Sequence, residues 1–198
     1  MKEIILRSSN LSTDKYSNRY HYKYKTFEPN DLNGIIRYLT KQCGGNVYDK
    51  GIVGIDSSPE WNESLLPKNV VDLDSLNFFV TRNSNENAFI SFDFKERKIH
   101  PTHYTIRARS DGDADYHHPK KWVIEGSNDN NNWKIISGEE NVEFFLTRNT
   151  IHTFKIKEKL EFDEKFKFLR MRQTGPNITG DYHLCLSALE FFGYLYEN

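Results

Sequence analysis

Short segments in which apolar and polar residues alternate restrict the fold of this chain more than any other feature. Between positions 88 and 94, Ile90 and Phe92 alternate with Ser91 and Asp93. Successive side chains of a β-strand point to opposite faces, so this pattern predicts a strand with one face against a core. Other predicted strands are 47–56, 70–73, 78–81, 103–109, 121–126, 134–137, 150–156, 166–173 and 184–193.

The predicted strands follow one another from residue 46 onward with no long helical pattern between them. This order predicts an all-β fold, an antiparallel β-sandwich, for residues 46–198. Residues 1–45 differ: apolar residues at helical spacing predict one short helix over 30–42, and alternating tyrosines at 20–24 predict one strand. We therefore expect an N-terminal arm, 1–45, followed by the sandwich domain.

The balance of charges and the apolar runs exclude several classes of protein. Lys+Arg number 27 and Asp+Glu 28, a net charge of −1, whereas nucleic-acid binding needs a basic face. The apolar runs fall short of the roughly 18 residues of a membrane span, and the run at the N-terminus is shorter than the roughly 7–15 residues of a signal peptide. With only Cys43 and Cys185, we expect free thiols, no disulfide and a cytoplasmic location.

Aromatic residues make up 14% of the chain, which favours an aromatic core built from strands. A hairpin is predicted over 122–133, where an Asn/Asp-rich turn separates two tryptophans. We expect both Trp122 and Trp133 to be core residues.

Several blocks of the sequence resemble the discoidin family, also called the coagulation factor V/VIII type C domains. These blocks lie at 92–95, 101–107, 118–133, 168–177 and 184–193. The resemblance implies a galactose-binding-like jelly-roll sandwich with ligand loops at one end. The Gln-Thr-Gly-Pro-Asn stretch at 173–177 is most similar to the intracellular branch associated with ubiquitin-ligase and BTB proteins. Secreted members usually join their first and last strands by a disulfide, and the positions of the two cysteines here do not match that pairing.

The acidic loop at 110–118 contains the strongest metal-binding pattern. Asp111, Asp113 and Asp115 at alternate positions suggest a calcium site, although an EF-hand would also need a glutamate near its twelfth position and flanking helices. A solvated acidic loop is the simpler interpretation. His117 and His118 are a weak zinc pair, because neighbouring residues of a strand point in opposite directions. We expect no other cofactor.

Nucleophile and phosphate-binding motifs are absent from the sequence, so we expect no enzyme activity. Polar and aromatic residues instead cluster in three loops, and scaffold loops are where binding usually resides. The predicted ligand-binding residues are Trp61, Asn62, Asp115, Tyr116, His117, Asn177, Asp181, Tyr182 and His183. The alternative is that each simply covers the end of the sandwich.

Flat aromatic rings beside amide and carboxylate acceptors suit either a peptide or the hydroxyl groups of a sugar. Our first hypothesis is a non-catalytic module that binds a protein or peptide partner through these loops. The alternative is a lectin-like carbohydrate-binding domain that uses the same loops. A hydrolase is the least favoured of the three.

Overall fold

The computed structural model describes residues 21–25, 28–82, 87–111, 117–145, 147–161 and 163–197. Within these ranges the single α-helix, α1, spans Ile35–Cys43, and a short 3-10 helix spans Pro67–Val71. The strands are β1 His21–Lys25, β2 Gly54–Ser57, β3 Phe79–Val80, β4 Phe89–Asp93, β5 Lys98–Arg107, β6 Trp122–Ser127, β7 Lys134–Glu139, β8 Ile151–Lys155, β9 Phe168–Gln173, β10 Cys185–Leu186 and β11 Ala188–Glu197.

The strands form two main antiparallel sheets. One has the order β2-β4-β9-β6-β7 and the other β1-β11-β5-β8, while β3 pairs with β10. Large side chains from both main sheets meet in the core: the rings of Phe92 and Phe191 are 5.6 Å apart, and both residues are fully buried. Each such side chain contributes about 1.5–3 kcal/mol by leaving water. The predicted all-β antiparallel sandwich with one short helix is confirmed.

Trp122 lies at the centre of this core, as predicted. It is fully buried on β6, its Nε1–H donates to the hydroxyl of Tyr104 at 3.1 Å, and its ring packs edge-on against Phe154 at 5.3 Å. Burial raises the pKa of the Tyr104 hydroxyl well above its ordinary value, so this hydroxyl keeps its proton. The contact therefore joins the two main sheets through a neutral hydrogen bond inside the core.

The prediction that Trp133 is a core residue is wrong. Trp133 is only half-buried, and the guanidinium of Arg170 lies 4.0 Å from the centre of its ring. On β9 the neighbours Leu169 and Met171 face the core, so Arg170 and the tryptophan against it lie on the opposite face of the sheet. The apolar pattern after the turn thus restarts on the outer face.

The described part of the N-terminal arm packs on the sandwich. β1 pairs with β11 along its whole length, and α1 buries Ile35, Ile36 and Leu39. Backbone N–H groups at the start of α1 are capped by the carboxylate of Glu190 on β11, which accepts from Ile36 at 2.7 Å. A core side chain thus fixes where the helix begins. The domain boundary near residue 45 stays a prediction.

Two predicted strands are corrected by local turn chemistry. Residues 70–73 are not a strand, because Pro67 begins a 3-10 helix and the amide of Asn69 donates to the carbonyl oxygens of Ser64 and Phe78. Residues 47–56 are a strand only at Gly54–Ser57, because a turn with a left-handed Gly51 (φ 69°) precedes it.

Cys43 is free and half-buried, and Cys185 is free and fully buried. Complete burial raises the pKa of the Cys185 thiol to about 12, so this group behaves as an inert core residue. Among the described residues, the single α-helix is too short and too polar to cross a bilayer.

Candidate ligand-binding site

Three loops that are distant in sequence meet at one end of the sandwich because of the short pairing between β3 and β10. Trp61, in the first loop, donates its backbone N–H to the carbonyl of Val80 on β3 at 2.8 Å. His183 lies two residues before β10, and its Nδ1 is 2.7 Å from the carbonyl oxygen of Thr81. The ring centres of Trp61 and His183 are therefore 4.9 Å apart.

Asn177 organises the loop that leads to His183. Its side-chain oxygen accepts from the backbone N–H groups of Thr179 at 3.1 Å and Asp181 at 3.2 Å. Its side-chain nitrogen donates to the carbonyl of His183 at 3.0 Å. Gly180 supplies the left-handed turn (φ 85°) between them. The buried amide of Asn177 thus holds the shape of the loop.

His117 brings the third loop against this one. Its Nδ1 lies 2.7 Å from Oδ2 of Asp181 and 3.1 Å from the hydroxyl of Thr179. The backbone supports the contact, because Ile178 donates its N–H to the carbonyl of His118 at 3.1 Å. The rings of His117 and His183 are 4.7 Å apart. The three loops thus form one connected cluster, which we call the loop-end site.

The charges in this cluster follow from burial and hydrogen bonds. Burial lowers the pKa of His117 more than the neighbouring Asp181 raises it, which favours the neutral imidazole. Burial alone would raise the pKa of Asp181, but the backbone N–H of His183 and the hydroxyl of Thr179 outweigh it and hold that pKa below its ordinary value. At neutral pH the site therefore presents a carboxylate beside a neutral imidazole.

A shallow cavity of about 240 Å³ opens beside this cluster. Trp61 forms one wall and is 51% exposed, the largest exposure of any described aromatic side chain. The Arg109 guanidinium lies over the ring of Phe78 at 4.6 Å, and its Nε donates to Asp111 at 2.7 Å. The residues that line the cavity are Trp61, Leu65, Phe78, Val80, Arg109 and His117.

The structure brings together five of the predicted ligand-binding residues: Trp61, His117, Asn177, Asp181 and His183. Of these five, Trp61 and His117 line the cavity. Two other predicted residues lie outside both the cluster and the cavity lining. Asn62 instead accepts the N–H and hydroxyl of Ser64 in its own turn, and Tyr182 is half-buried. Asp115 and Tyr116 lie outside the described residues.

The calcium site in the acidic loop stays a prediction, because the structure describes one of its three candidate residues. Asp111 pairs with Arg109, while Asp113 and Asp115 lie outside the described residues. His118 is fully buried and does not belong to the metal-capable group, which consists of His117, Asp181 and His183. The ligand atoms of these three residues all lie within 4.8 Å of one another.

Sequence reasoning did not find Arg109 or Phe78 as part of the cavity. Arg109 ends a predicted strand directly before the acidic loop, and this position could have indicated that it lies close to the ligand loops. Phe78 carried no such indication, because its part in the cavity depends on the pairing of β3 with β10.

No family model matches the chain, and no curated protein sequence matches it. Solved structures do. The module CpGH89CBM32-5 from Clostridium perfringens, in complex with GalNAc-β-1,3-galactose, has a TM-score of 0.56 at 15% identity, covering 72% of this chain and 96% of the module. The family 32 carbohydrate-binding module of Clostridium perfringens NanJ, in complex with galactose, has a TM-score of 0.54 at 12% identity, with 75% and 96% covered.

A fucolectin from striped bass (Morone saxatilis) serum has a TM-score of 0.54 at 16% identity, covering 72% of this chain and 47% of the lectin. The chain has the fold of these modules and lectins. That fold is the galactose-binding-like sandwich implied by the sequence resemblance. The narrower resemblance to the intracellular ubiquitin-ligase branch stays a prediction.

Proposed function

We propose that this chain is a non-catalytic glycan-binding domain whose ligand lies against Trp61 in the loop-end site. The observation that carries the proposal is the exposed Trp61 ring in the wall of a cavity that is also lined by His117, the residue that contacts the Asp181 carboxylate. A sugar ring has an apolar face that can stack on an indole and hydroxyl groups that exchange hydrogen bonds with Asp181 and His117. Structural neighbours solved with galactose or a galactose-containing disaccharide support this choice over a peptide ligand.

The size of the cavity limits the expected affinity. About 240 Å³ is below the usual range of roughly 300–1,000 Å³ for small-molecule pockets, so one sugar unit would be partly exposed when bound. We expect dissociation constants between about 1 mM and 1 μM, which correspond to roughly 4–8 kcal/mol of binding free energy.

A glycan array followed by calorimetry on the hits tests the proposal. Trp61→Ala should weaken binding by about tenfold or more, because it removes the stacking face. Trp61→Phe keeps an aromatic face and should recover part of the affinity. Both variants should keep the wild-type denaturation midpoint. Unchanged sugar binding by Trp61→Ala would place the site elsewhere.

A protein or peptide partner, our first hypothesis from the sequence, is the outcome that remains if no glycan binds. A pull-down with wild-type and Trp61→Ala proteins would then show whether the same surface holds the partner. A cytoplasmic location is a separate proposal, supported by two unpaired thiols.

A further inference from the structure

Two imidazoles and one carboxylate converge in the loop-end site, although they come from two separate loops. His117 Nδ1 is 2.7 Å from Asp181 Oδ2, and the ligand atoms of His117, Asp181 and His183 all lie within 4.8 Å of one another. His183 is buried, and the other two are half-buried. A mixed set of this kind differs from the exposed acidic loops that are common on protein surfaces.

The imidazole of His183 is already oriented as a metal ligand would be. Its Nδ1 lies 2.7 Å from the carbonyl oxygen of Thr81, which can only accept a hydrogen bond. Nδ1 therefore carries the proton, and Nε2 keeps the lone pair that a metal ion takes. Metal-binding histidines usually donate their other N–H to a carbonyl or carboxylate in this way.

The carboxylate of Asp181 is also held in place by its neighbours. Its Oδ1 accepts the backbone N–H of His183 at 3.0 Å, and its Oδ2 accepts the hydroxyl of Thr179 at 3.0 Å. The amide of Asn177 donates to the same carboxylate. Hydrogen bonds of this kind fix a ligating carboxylate and lower the cost of ordering it when an ion binds.

The distances are compatible with a small ion after modest side-chain movement. Zinc lies about 2.0–2.2 Å from nitrogen and oxygen ligands, so neighbouring ligand atoms in a tetrahedral site are about 3.3 Å apart. The 2.7 Å pair must open slightly, and a pair as far apart as 4.8 Å must close by roughly 1.5 Å. Side-chain rotations in half-buried loop residues can supply both changes.

We propose that His117, Asp181 and His183 bind one divalent transition metal ion, zinc, at the rim of the loop-end site. Imidazole ligands suit zinc, whereas calcium and magnesium require an all-oxygen shell that these residues do not offer. Three protein ligands leave the fourth position open to water or to a ligand oxygen. The site is distinct from the calcium candidate in the acidic loop, and its occupancy is measured without any sugar present.

The test is calorimetric titration of Zn²⁺ into the full chain, freed of any polyhistidine tag and treated with a chelator. We expect one ion per chain in the wild type and at least about tenfold weaker binding in Asp181→Asn and in His117→Gln. His103→Gln, which changes a half-buried histidine on β5, should bind as the wild type does. Titration with Ca²⁺ should give no binding at this stoichiometry.

The His117→Gln variant keeps the test valid if Asp181→Asn fails to fold, because His117 is half-buried in a loop and its loss leaves Asn177 in place. Co²⁺ provides a second measurement, since a four-coordinate site gives much stronger visible absorption than the aqueous ion. Absence of saturable Zn²⁺ binding, or equal affinity in the wild type and His117→Gln, would overturn the proposal.

Discussion

Trp122 and Trp61 show how two regions of this molecule use the same side chain in opposite ways. Trp122 is enclosed by Phe145 and Phe154, and its only polar atom is bonded to Tyr104. Trp61 has an aromatic neighbour at its edge, His183, and leaves half of its surface to solvent. In the core the indole stabilises the fold, whereas in the loops an open aromatic face next to charged groups is available for a ligand. The exposure of the indole itself distinguishes the two uses, because the rings that contact each tryptophan are buried in both places.

The largest expected effect is the loss of stability when the core tryptophan, Trp122, is removed. Trp122→Ala should lower the free energy of unfolding by about 3–5 kcal/mol, because it removes a large buried aromatic side chain and leaves a cavity. Trp61→Ala should change it by about 0.5 kcal/mol or less, as at most surface positions. Urea unfolding of the two variants measures both. Equal losses would mean that Trp61 is a packing residue and that its exposure has no bearing on binding.

The second prediction concerns the buried region and the pH dependence of its stability. Burial raises the pKa of Glu190 to about 7 from an ordinary value of 4.5, against the lowering effect of the backbone N–H groups that it accepts. The folded state then binds this proton more tightly than the unfolded state. Its contribution to stability is complete below pH 4.5 and is lost as the pH rises through about 7.

We therefore expect the wild type to lose stability across this interval, by at most about 1.4 kcal/mol per pH unit for one proton. Glu190→Gln cannot ionise and should remove this part of the pH dependence. Glu161→Gln, an exposed position, is the matched control and should leave the slope unchanged. A slope in Glu190→Gln equal to that of the wild type would contradict this prediction, because it would mean that folding does not shift the pKa of Glu190.

Two asparagines in polar loops sharpen the comparison further. Asn177 is 2% exposed and fastens the loop that holds Asp181, whereas Asn132 lies exposed in the hairpin turn and bonds to Asp129 at 2.7 Å. Asn177→Ala should cost about 1–3 kcal/mol, because buried backbone groups lose their partners. Asn132→Ala should stay within about 0.5 kcal/mol. Thermal unfolding of the two variants measures both losses of stability. A loss for Asn132→Ala as large as that for Asn177→Ala would contradict the prediction that the buried asparagine alone holds its loop in place.

The sequence predicted the parts of the fold that depend on local alternation. Phe92 and Trp122 belong to strands whose apolar face is evident from their neighbours, and both are fully buried. The 3-10 helix was mistaken for a strand because Val70 and Val71 favour strands, while the hydrogen bonds of Asn69 that stabilise the helix cannot be read from the sequence. Local propensity was overridden there by a side chain that bridges two loops.

The sequence predicted which loops form the candidate site but not which side chains contact one another within it. Three polar loops at one end were foreseen, and Trp61, His117 and His183 do meet there. The grouping of His183 with Asp181 and His117 was not foreseen, because the sequence places His117 next to His118, which is fully buried and does not belong to that group. Residues that are far apart in sequence become neighbours through strand pairing, which a single sequence does not reveal.

The smallest expected effect concerns Trp133, which lies between the two extremes. Its ring is half-buried and stacks under Arg170, so it should resemble neither the enclosed Trp122 nor the open Trp61. A cation–π contact at a partly exposed site contributes about 0.5–1 kcal/mol. Trp133→Leu keeps an apolar side chain and removes this contact, so it should lower the free energy of unfolding by about that amount.

Arg170→Ala gives a larger and less specific loss because Arg170 also binds Glu125 at 2.7 Å, so the double variant is compared with both single ones. Additive losses in that cycle would show that the ring and the guanidinium do not interact, and that Trp133 contributes only by covering the sheet.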